Sequence, residues 1–486
     1  MNNLVTRYYR FLVILVLLWS FVTRVWHVDL PVTYVFDEVY HAVTAKLIAR
    51  NDVRGFEWWN PEPEPSTAVD WLHPPLAKYT QALGMLALGE NPLGWRISSV
   101  IFGVLVVFMT LKLAEALFER KDVSLLAAFL VSLDGLTLVQ SRIAMNDIHV
   151  TFFILLTFYF YVLHLKERVY GSKFIWLTGL ASGLAMGSKW SGFYALAAVG
   201  CVEAVYWVKG WISDSWRTSN TIRTQVIQAL RAAGALVVLP VLIYVASYGL
   251  MFAQGKTLVC AQQEEIQGQC YYTKMFWTKA DETDPQAKPF FEGYVSHFVM
   301  LHRQTWWYQT HLEAVHSYQS RPWQWFLNTK PVWMSVEYAE GQRADIYNVG
   351  NPLLFWLADI SLVLTLILLV RFMVRNKNSS DEIAQTHTYS RFSFLMTAYL
   401  FVWIFWEFSP RIMFFYHYLP AVPLMSINLA CWLIKLGGKS KWGKLSAVTL
   451  VALIALTFVT WYPHWTGQMV ANEVKEKIYF ALPSWK

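Results

Sequence analysis

Two adjacent carboxylates, Asp37 and Glu38, follow the first long apolar stretch of the chain, in the string Phe36-Asp37-Glu38-Val39. A positioned carboxylate can accept a proton from a hydroxyl group whose oxygen is forming a new bond. At the end of a membrane-spanning helix, it could do so on a substrate that is carried by a lipid. If this stretch is extended, neighbouring side chains point to opposite sides, so only one acid of the pair would face a given substrate.

Four basic residues lie at the outer ends of predicted membrane spans, where positive charge is unexpected: Arg96, Arg142, Lys189 and Arg411. Ionisable groups at that depth are costly and usually face a bundle interior or a partner. For each residue alone, a snorkelling side chain or a local ion pair is the simpler explanation. Together the four cations predict an anion site. Four acids share the same face, so a carboxylate would lie next to that site: Asp37, Glu38, Asp70 and Asp147. Arg binds phosphate bidentately and Lys binds it as a point charge, so a lipid-linked phosphate is the expected anion.

The composition indicates a polytopic membrane protein. Of its 486 residues, 56% are hydrophobic and only 15% are charged. Several apolar runs reach the roughly 18 residues that a bilayer span requires. The formal charge of +7 is explained by cytoplasmic loops beside anionic lipid, so no nucleic-acid partner is needed.

We predict an all-α fold with about 11 membrane spans. The region 174–208 could be one long helix or two short ones, and residues 76–89 are too short to span and would be interfacial or re-entrant. The predicted spans are 11–28, 93–118, 123–140, 147–165, 174–188, 190–208, 232–252, 351–371, 393–408, 411–435 and 445–461.

Basic residues cluster in alternate loops, which sets the expected orientation by the positive-inside rule. The N-terminus is predicted to be cytoplasmic, and an odd number of spans places the C-terminus outside. We therefore expect one membrane domain over 1–486, with two extracytoplasmic segments at 29–92 and 253–350. The protein would be a multi-pass protein of the cytoplasmic membrane whose active site faces outside.

Two further patterns concern packing and cross-linking. Gly179, Gly183 and Gly187 recur every four residues, a spacing that lets helix backbones approach closely. Cys260 and Cys270 share one predicted outer loop, where they could form a disulfide or remain free thiols.

Several strings are too specific to arise from composition. Beside the acidic pair they are Asp70-Trp71-Leu72-His73-Pro74-Pro75-Leu76-Ala77-Lys78, Trp95-Arg96-Ile97-Ser98-Ser99, Ser141-Arg142-Ile143-Ala144-Met145-Asn146-Asp147, Gly187-Ser188-Lys189-Trp190-Ser191-Gly192, Tyr318-Gln319-Ser320-Arg321-Pro322-Trp323-Gln324-Trp325, Gly350-Asn351-Pro352-Leu353 and Tyr416-His417-Tyr418-Leu419-Pro420-Ala421. In this order and spacing, over about residues 30 to 425, the chain resembles the protein O-mannosyltransferases, polytopic enzymes of the GT-C class.

The resemblance implies a reaction and roles for residues. The family transfers mannose from a polyprenyl (dolichyl-type) phosphate carrier to Ser or Thr hydroxyls of exported proteins, with inversion at the sugar carbon. The proposed base corresponds to Asp37, and the donor-phosphate contacts correspond to Arg96 and Lys189, to which we add Arg142 and Arg411. Glu38 belongs with Asp37 to the predicted catalytic pair, in which it would orient a loop or pair with a cation. The matched strings supply further substrate-binding or positioning candidates: Asp70, His73, Lys78, Asp147, His417 and Tyr418.

The length of the second outer segment and the spacing of its histidines bear on these expectations. Eukaryotic members carry a β-trefoil insert in the large lumenal loop, and segment 253–350 is too short to hold it, so the chain resembles a bacterial or archaeal form. No metal or other cofactor is expected, because cations already serve the phosphate. His297 and His302, like His311 and His316, lie five apart and lack the spacing of a His-Glu-x-x-His zinc site.

Two other functions fit parts of the pattern. A GT-C relative with a lipid or glycan acceptor, such as an aminoarabinose transferase, would share the architecture. The oligosaccharyltransferase subunit is disfavoured because its Trp-Trp-Asp-Tyr-Gly string is absent. A transporter of anionic lipids would also use intramembrane arginines, but it would not cleave the donor.

Overall fold

The computed structural model describes residues 2–56, 62–167, 172–212, 222–254, 265–266, 269–270, 294–374 and 382–485. Helices dominate this part of the chain, as the sequence predicts. The first nine are α1 (Asn2–Val25), α2 (Glu38–Ala49), α3 (Leu76–Leu88), α4 (Pro92–Phe118), α5 (Lys121–Ser132), α6 (Gly135–Gln140), α7 (Asp147–Glu167), α8 (Lys173–Ser188) and α9 (Phe193–Ile212).

The other α-helices of five or more residues follow after residue 212, together with the strands. The helices are α10 (Ile222–Ala233), α11 (Leu239–Ser247), α12 (Gly249–Ala253), α13 (Tyr294–His311), α14 (Pro322–Phe326), α15 (Pro352–Val374), α16 (Glu382–Ile404), α17 (Ala421–Gly437) and α18 (Lys441–Thr466). The strands are β1 (Glu265–Ile266), β2 (Gln269–Cys270), β3 (Val332–Ala339), β4 (Gln342–Asn348) and β5 (Met469–Ala471).

Among the described residues, seven helical stretches are long and apolar enough to cross a membrane. They are Val5–Val25, Pro92–Phe118, Asp147–Glu167, Trp190–Lys209, Arg223–Ser247, Pro352–Val374 and Lys441–Thr466, with Ala421–Gly437 as a shorter apolar helix. The membrane character is thereby supported, whereas the count of 11 spans is not confirmed.

One predicted span differs from the observed helices for a local reason, and the choice left open for 174–208 falls to two helices, at the predicted spans 174–188 and 190–208. The stretch 123–140 is broken into α5 and α6, because the Asp134 carboxylate accepts a hydrogen bond from the backbone N–H of Thr137 at 2.7 Å and so caps a new helix. The region 174–208 forms two helices, α8 and α9, separated by the 3₁₀ turn Trp190–Gly192. This turn places Lys189 at the end of α8.

The helices α4 and α7 form the centre of the bundle. In the most apolar 18-residue stretch of each of these two helices, 61% is buried inside the protein. In the equivalent stretches of α1 and α18, only 6% and 17% are buried. Exposed apolar side chains on α1 and α18 therefore face the surroundings that a membrane would occupy.

The glycines of α8 act as predicted, because they allow close packing against the helical stretch Arg223–Ser247. A Cβ atom at Gly179 would lie 1.8 Å from the carbonyl oxygen of Ala235, and one at Gly183 would lie 2.6 Å from Cβ of Ile243. Any side chain at either position would collide with the partner.

The two predicted outer segments contain folded elements. Segment 29–92 includes α2 and α3, and the described part of 253–350 includes α13, α14 and the antiparallel pair β3–β4. Strand β5 extends this sheet on the other side of β4. Cys260 lies outside the described residues and Cys270 ends the short strand β2, so their pairing stays a prediction.

Candidate active site

Asp37 lies at the start of α2 rather than in an extended segment. Its carbonyl oxygen accepts hydrogen bonds from the N–H groups of Tyr40 at 2.9 Å and His41 at 3.0 Å. The preceding residue, Phe36, has a φ of 51°, so the chain turns sharply just before the acidic pair. The chain is therefore not extended here, the condition under which neighbouring side chains would point to opposite sides, yet the two acids still face different surroundings.

Glu38 is fully buried and every one of its contacts is structural. Oε1 accepts hydrogen bonds from Nε of Arg96 and from the backbone N–H of Ala144, both at 2.8 Å. Oε2 accepts from Nη2 of Arg96 at 2.7 Å and from the N–H of Val35 at 2.8 Å. The carboxylate thus takes the cation-pairing role that was one of its two expected roles, and it cannot reach a substrate.

Arg96 has no N–H group left for a phosphate, contrary to the prediction from sequence. Besides its two bonds to Glu38, it donates from Nη1 to the carbonyls of Val28 and Pro31 at 3.0 and 2.8 Å, and from Nη2 to that of Thr33 at 3.0 Å. An arginine has five N–H donors, and all five are occupied. Arg96 therefore holds the turn that carries Asp37.

Arg142 also differs from its predicted role in phosphate binding. It is buried, and it donates to the carbonyls of Arg24, Trp26 and His27 at 2.8, 2.7 and 3.0 Å. These carbonyls lie at the end of α1, where a cation complements the helix dipole. Arg142 thus fixes α1 beside the site.

Asp70 is the centre of a buried cluster. Oδ2 lies 2.7 Å from Nζ of Lys78 and 2.8 Å from Nδ1 of His41, and Oδ1 lies 3.0 Å from Nδ1 of His73. Burial alone would raise the pKa of Asp70, but Lys78, His73 and His41 together hold that pKa well below its usual range. Asp70 is therefore an anion that ties the loop before α3 to α2.

Lys189 and Asp147 form an ion pair between α8 and α7. Nζ lies 2.8 and 3.0 Å from the two carboxylate oxygens, and both side chains are largely buried. The same ammonium group lies 5.5 Å from the ring centroid of Tyr416. With three N–H donors, Lys189 retains one that can bind a further anion.

Arg411 has no carboxylate partner within the described ranges. Nη1 donates to Oε1 of Gln309, and the guanidinium lies 5.9 Å from the ring centroid of Tyr308. Both contacts belong to α13, so the outer segment positions this cation. A partly exposed arginine without a counter-ion is a suitable ligand for phosphate.

The Asp37 carboxylate is the free acid of this site. It makes no hydrogen bond or ion pair with any residue that the structure describes, and it remains partly exposed. Burial raises the pKa of Asp37 to about 6, with His41 and Lys189 opposing the rise and Asp70 and Asp147 adding to it. A carboxylate with a pKa near the working pH is suited to accept a proton.

The late string Tyr416-His417-Tyr418 divides between the site and the core. His417 packs its ring against Tyr416 and Trp325, with centroids 4.7 and 6.0 Å apart. Tyr418 is fully buried, and its hydroxyl lies 2.6 Å from that of Tyr399 on α16. Tyr418 thus lies in the core, and of its two predicted roles, substrate binding or positioning, this placement favours positioning.

Sequence reasoning missed a hydrogen-bonded chain behind Lys189. The indole N–H of Trp190 donates to the Tyr244 hydroxyl at 2.9 Å, which lies 2.6 Å from Nε2 of His302. Nδ1 of His302 lies 2.7 Å from the carbonyl of Phe298. The chain links the Lys189 turn to α11 and α13, and no local pattern indicates it.

His41 was also missed, although a signal for it exists. It follows Asp37 by four residues, which places it on the same side of a helix. Both ring nitrogens of His302 have partners. Within the described ranges, no group of three or more His, Cys, Asp or Glu residues is placed to hold a metal ion.

Comparison with known proteins identifies the family. Residues 14–254 match the family model described as dolichyl-phosphate-mannose-protein mannosyltransferase. Residues 294–485 match the C-terminal four-helix region of protein O-mannosyltransferases. The chain belongs to the protein O-mannosyltransferase family. It is therefore a membrane-embedded glycosyltransferase, as the resemblance implied.

Curated relatives agree with the membership in this family. The chain is 26% identical to the polyprenol-phosphate-mannose–protein mannosyltransferase of Corynebacterium glutamicum, over 93% of this chain and 88% of the relative. It is 22% identical to the protein of the same name from Mycobacterium tuberculosis, over 93% and 87% of the two chains. These matches run through both the membrane bundle and the outer segments.

Solved structures support the GT-C fold of this mannosyltransferase. The Saccharomyces cerevisiae Pmt1-Pmt2 complex, bound to the sugar donor, superposes with a TM-score of 0.76 at 14% identity, over 96% of this chain and 91% of that one. ArnT from Cupriavidus metallidurans, bound to undecaprenyl phosphate, reaches 0.50 at 15% identity, over 94% and 71%. The alternative of an aminoarabinose-transferase-like enzyme thus receives less support.

Proposed function

We propose that this enzyme transfers mannose from a polyprenyl-phosphate-mannose donor to Ser or Thr hydroxyls of exported proteins, with inversion at the sugar carbon. The observation that carries the proposal is the Asp37 carboxylate, which has no hydrogen-bond or ion-pair partner among the described residues and whose charge interacts with that of Lys189. The name of the Corynebacterium glutamicum relative supports the donor and the protein acceptor.

Asp37 acts as the base in this mechanism. The acceptor oxygen attacks the anomeric carbon from the side opposite the phosphate, through an oxocarbenium-like transition state. The O–H bond breaks as the new C–O bond forms, and the proton moves to the Asp37 carboxylate. Because the attack comes from the opposite side, the configuration at the sugar carbon inverts.

Lys189 and Arg411 bind the leaving phosphate. The bond between the sugar carbon and the phosphate oxygen breaks with its electron pair, so negative charge grows on the phosphate. Fixed cations stabilise this charge in the transition state more than in the ground state. Arg411 has no competing carboxylate in the described part of the chain, and Lys189 has one N–H beyond those on Asp147.

The remaining site residues act by positioning. The Glu38–Arg96 pair and Arg142 fix the turn between α1 and α2. The cluster of Asp70, His73, Lys78 and His41 fixes the following loop. Such support keeps Asp37 within reach of the hydroxyl group without itself contacting the reacting atoms.

We assign the enzyme to the cytoplasmic membrane with its site on the outer face. Basic residues at the ends of helices remote from Asp37, such as Arg120 and Lys444, support a cytoplasmic location for those ends. In this orientation the N-terminus is cytoplasmic and the C-terminus is extracytoplasmic. The exported acceptor would meet the lipid donor at the outer surface.

The test uses the purified full chain, polyprenyl-phosphate-mannose and two matched peptides, one with Ser and Thr and one with Ala in their place. We expect release of polyprenyl phosphate and a mannosylated hydroxyl only with the first peptide, and NMR of the product should show the opposite anomeric configuration from the donor. Transfer to a lipid but to neither peptide, or an uncleaved donor, would contradict the proposal.

A further inference from the structure

A large concavity lies far from Asp37. It has a volume of about 1060 Å³ and opens between α1, α5, α17 and α18. Its walls are almost wholly apolar, with Leu12, Trp19, Phe129 and Val451 among the lining side chains. Nothing in the proposed transfer reaction uses this groove.

The polar residues of the groove are confined to one end. Arg120, Asp122 and Lys444 line that end, beside Gly437 and Gly438 at the end of α17. Nε of Arg120 lies 3.0 Å from Oδ1 of Asp122, and its Nη2 lies 2.6 Å from Oδ2. Nη1 is not used in this pair. Lys444 is exposed and has no ion pair with any described residue. The mouth therefore carries a net positive charge.

This mouth lies on the face of the bundle opposite the site. Arg96, at the site, belongs to the first turns of α4, and Arg120 follows the end of the same helix. A helix of 27 residues is about 40 Å long, roughly the thickness of a bilayer with its headgroup regions. The groove mouth and the proposed donor-phosphate site thus meet opposite leaflets.

The groove walls belong to helices that a membrane would surround. Leu15 on α1 is 43% exposed and Val448 on α18 is 54% exposed, and both line the groove. Acyl chains cover such apolar surface in a bilayer, and a headgroup phosphate pairs with Lys and Arg at the interface. An amphiphile with an acyl chain and an anionic headgroup fits both the apolar groove and its cationic mouth.

We propose that this groove binds an anionic phospholipid, with an acyl chain between α1 and α18 and the phosphate between Arg120 and Lys444. The site is separate from the transfer site and does not rest on the proposed function. It takes a lipid of the leaflet opposite the donor headgroup. It distinguishes lipids by headgroup charge, whereas the apolar walls accept any chain of sufficient length.

The experiment is native mass spectrometry of the full chain with dioleoyl phosphatidylglycerol or dioleoyl phosphatidylcholine, which have the same acyl chains. We expect the wild type to retain the anionic lipid at least tenfold better. Lys444→Glu should remove most of this preference, and Val448→Trp, which fills the groove, should lower retention of both lipids. Lys439→Glu is the matched control, because Lys439 precedes the same helix but does not line the groove, and it should behave like the wild type.

Three results would overturn the proposal. They are equal retention of the two lipids by the wild type, unchanged retention in Val448→Trp, and a protein dimer that Val448→Trp disrupts without any bound lipid. Glycerol phosphate, which has the charge but no chains, should not compete with the lipid. The melting temperature of each variant in detergent establishes that it is folded, so a loss of lipid is not a loss of structure.

Discussion

Nη2 of Arg96 lies 2.7 Å from Oε2 of Glu38, and neither side chain is exposed by more than 1%. The two residues are 58 positions apart in the chain, and their pair joins α4 to the start of α2. Because Glu38 directly follows Asp37, this pair sets where the Asp37 carboxylate lies. Arg96, which the motifs assign to phosphate binding, thus stabilises the position of Asp37, the proposed base.

Removal of the proposed base should abolish most turnover and leave the fold intact. Asp37→Asn keeps the size of the side chain, and no described residue loses a hydrogen bond. General base catalysis typically contributes about 10²–10⁴-fold, so kcat should fall by that factor. Asp29→Asn, which changes an exposed acid of the same segment, is the control. Retention of more than a tenth of wild-type transfer by Asp37→Asn would exclude the assignment.

The reaction should lose rate in acid as Asp37 is protonated. Its pKa in the folded protein is about 6, and only the ionised form can accept a proton. We expect kcat/KM to be constant above that pH and to fall about tenfold for each pH unit below it. The measurement is kcat/KM between pH 5 and 8, and a flat profile down to pH 5 would contradict it.

The same raised pKa predicts an effect on stability. A carboxyl whose pKa is higher in the folded than in the unfolded chain binds its proton more tightly when folded. Ionised Asp37 therefore destabilises the fold at neutral pH, and the penalty decreases as the pH falls from about 6 toward the unfolded pKa of 3.8, below which it is absent. Asp37→Asn should melt no lower than the wild type at pH 7, and a lower Tm would argue against a half-buried charge that lacks a partner among the described residues.

Disruption of the Glu38–Arg96 pair should cost stability. Arg96→Ala leaves a buried carboxylate without its cation, a change that typically costs about 3–5 kcal/mol. The double variant Glu38→Gln/Arg96→Ala removes the unpaired charge and should recover part of that loss. Thermal unfolding in detergent measures both, and an unchanged Tm in Arg96→Ala would show that the pair does not hold the turn.

Removal of either proposed phosphate ligand should slow the chemical step. Loss of one electrostatic donor to a developing charge typically costs about 2.7–4 kcal/mol, or about 10²–10³ in kcat. Arg411→Gln and Lys189→Gln should show such losses, with little change in KM for the acceptor peptide. Lys330→Gln alters a lysine of the same outer segment and serves as the control. Normal kcat in Arg411→Gln would remove that residue from the site.

The glycine contact of α8 can be tested by adding one methyl group. At Gly179 the new Cβ would lie 1.8 Å from the backbone of Ala235, whereas at Gly200 no atom lies within 4 Å. Overpacking typically costs about 1–3 kcal/mol. Gly179→Ala should therefore lower the Tm in detergent, and Gly200→Ala should not. Equal melting temperatures would mean that the helices can separate at no cost.

The sequence alone determined the features that depend on local composition. Apolar length predicts helices in a membrane, the glycine spacing predicts the tight contact of α8, and the ordered motifs indicate the family. The break between α8 and α9 was also foreseen as one of two possibilities. These features need no knowledge of which helix neighbours which.

The tertiary structure decided which charges are free and which are already paired. Arg96, Arg142, Lys189 and Arg411 look alike in sequence, since each is a cation at the end of a predicted span. Folding gives Arg96 an acceptor for each of its five N–H groups and gives Arg142 three backbone carbonyls, all from remote segments, and it leaves Arg411 without a carboxylate among the described residues. The energy of a buried charge depends on every group around it, and those groups come from distant parts of the chain. For that reason only the fold distinguishes the cations that hold Asp37 in place from those that can bind its substrate.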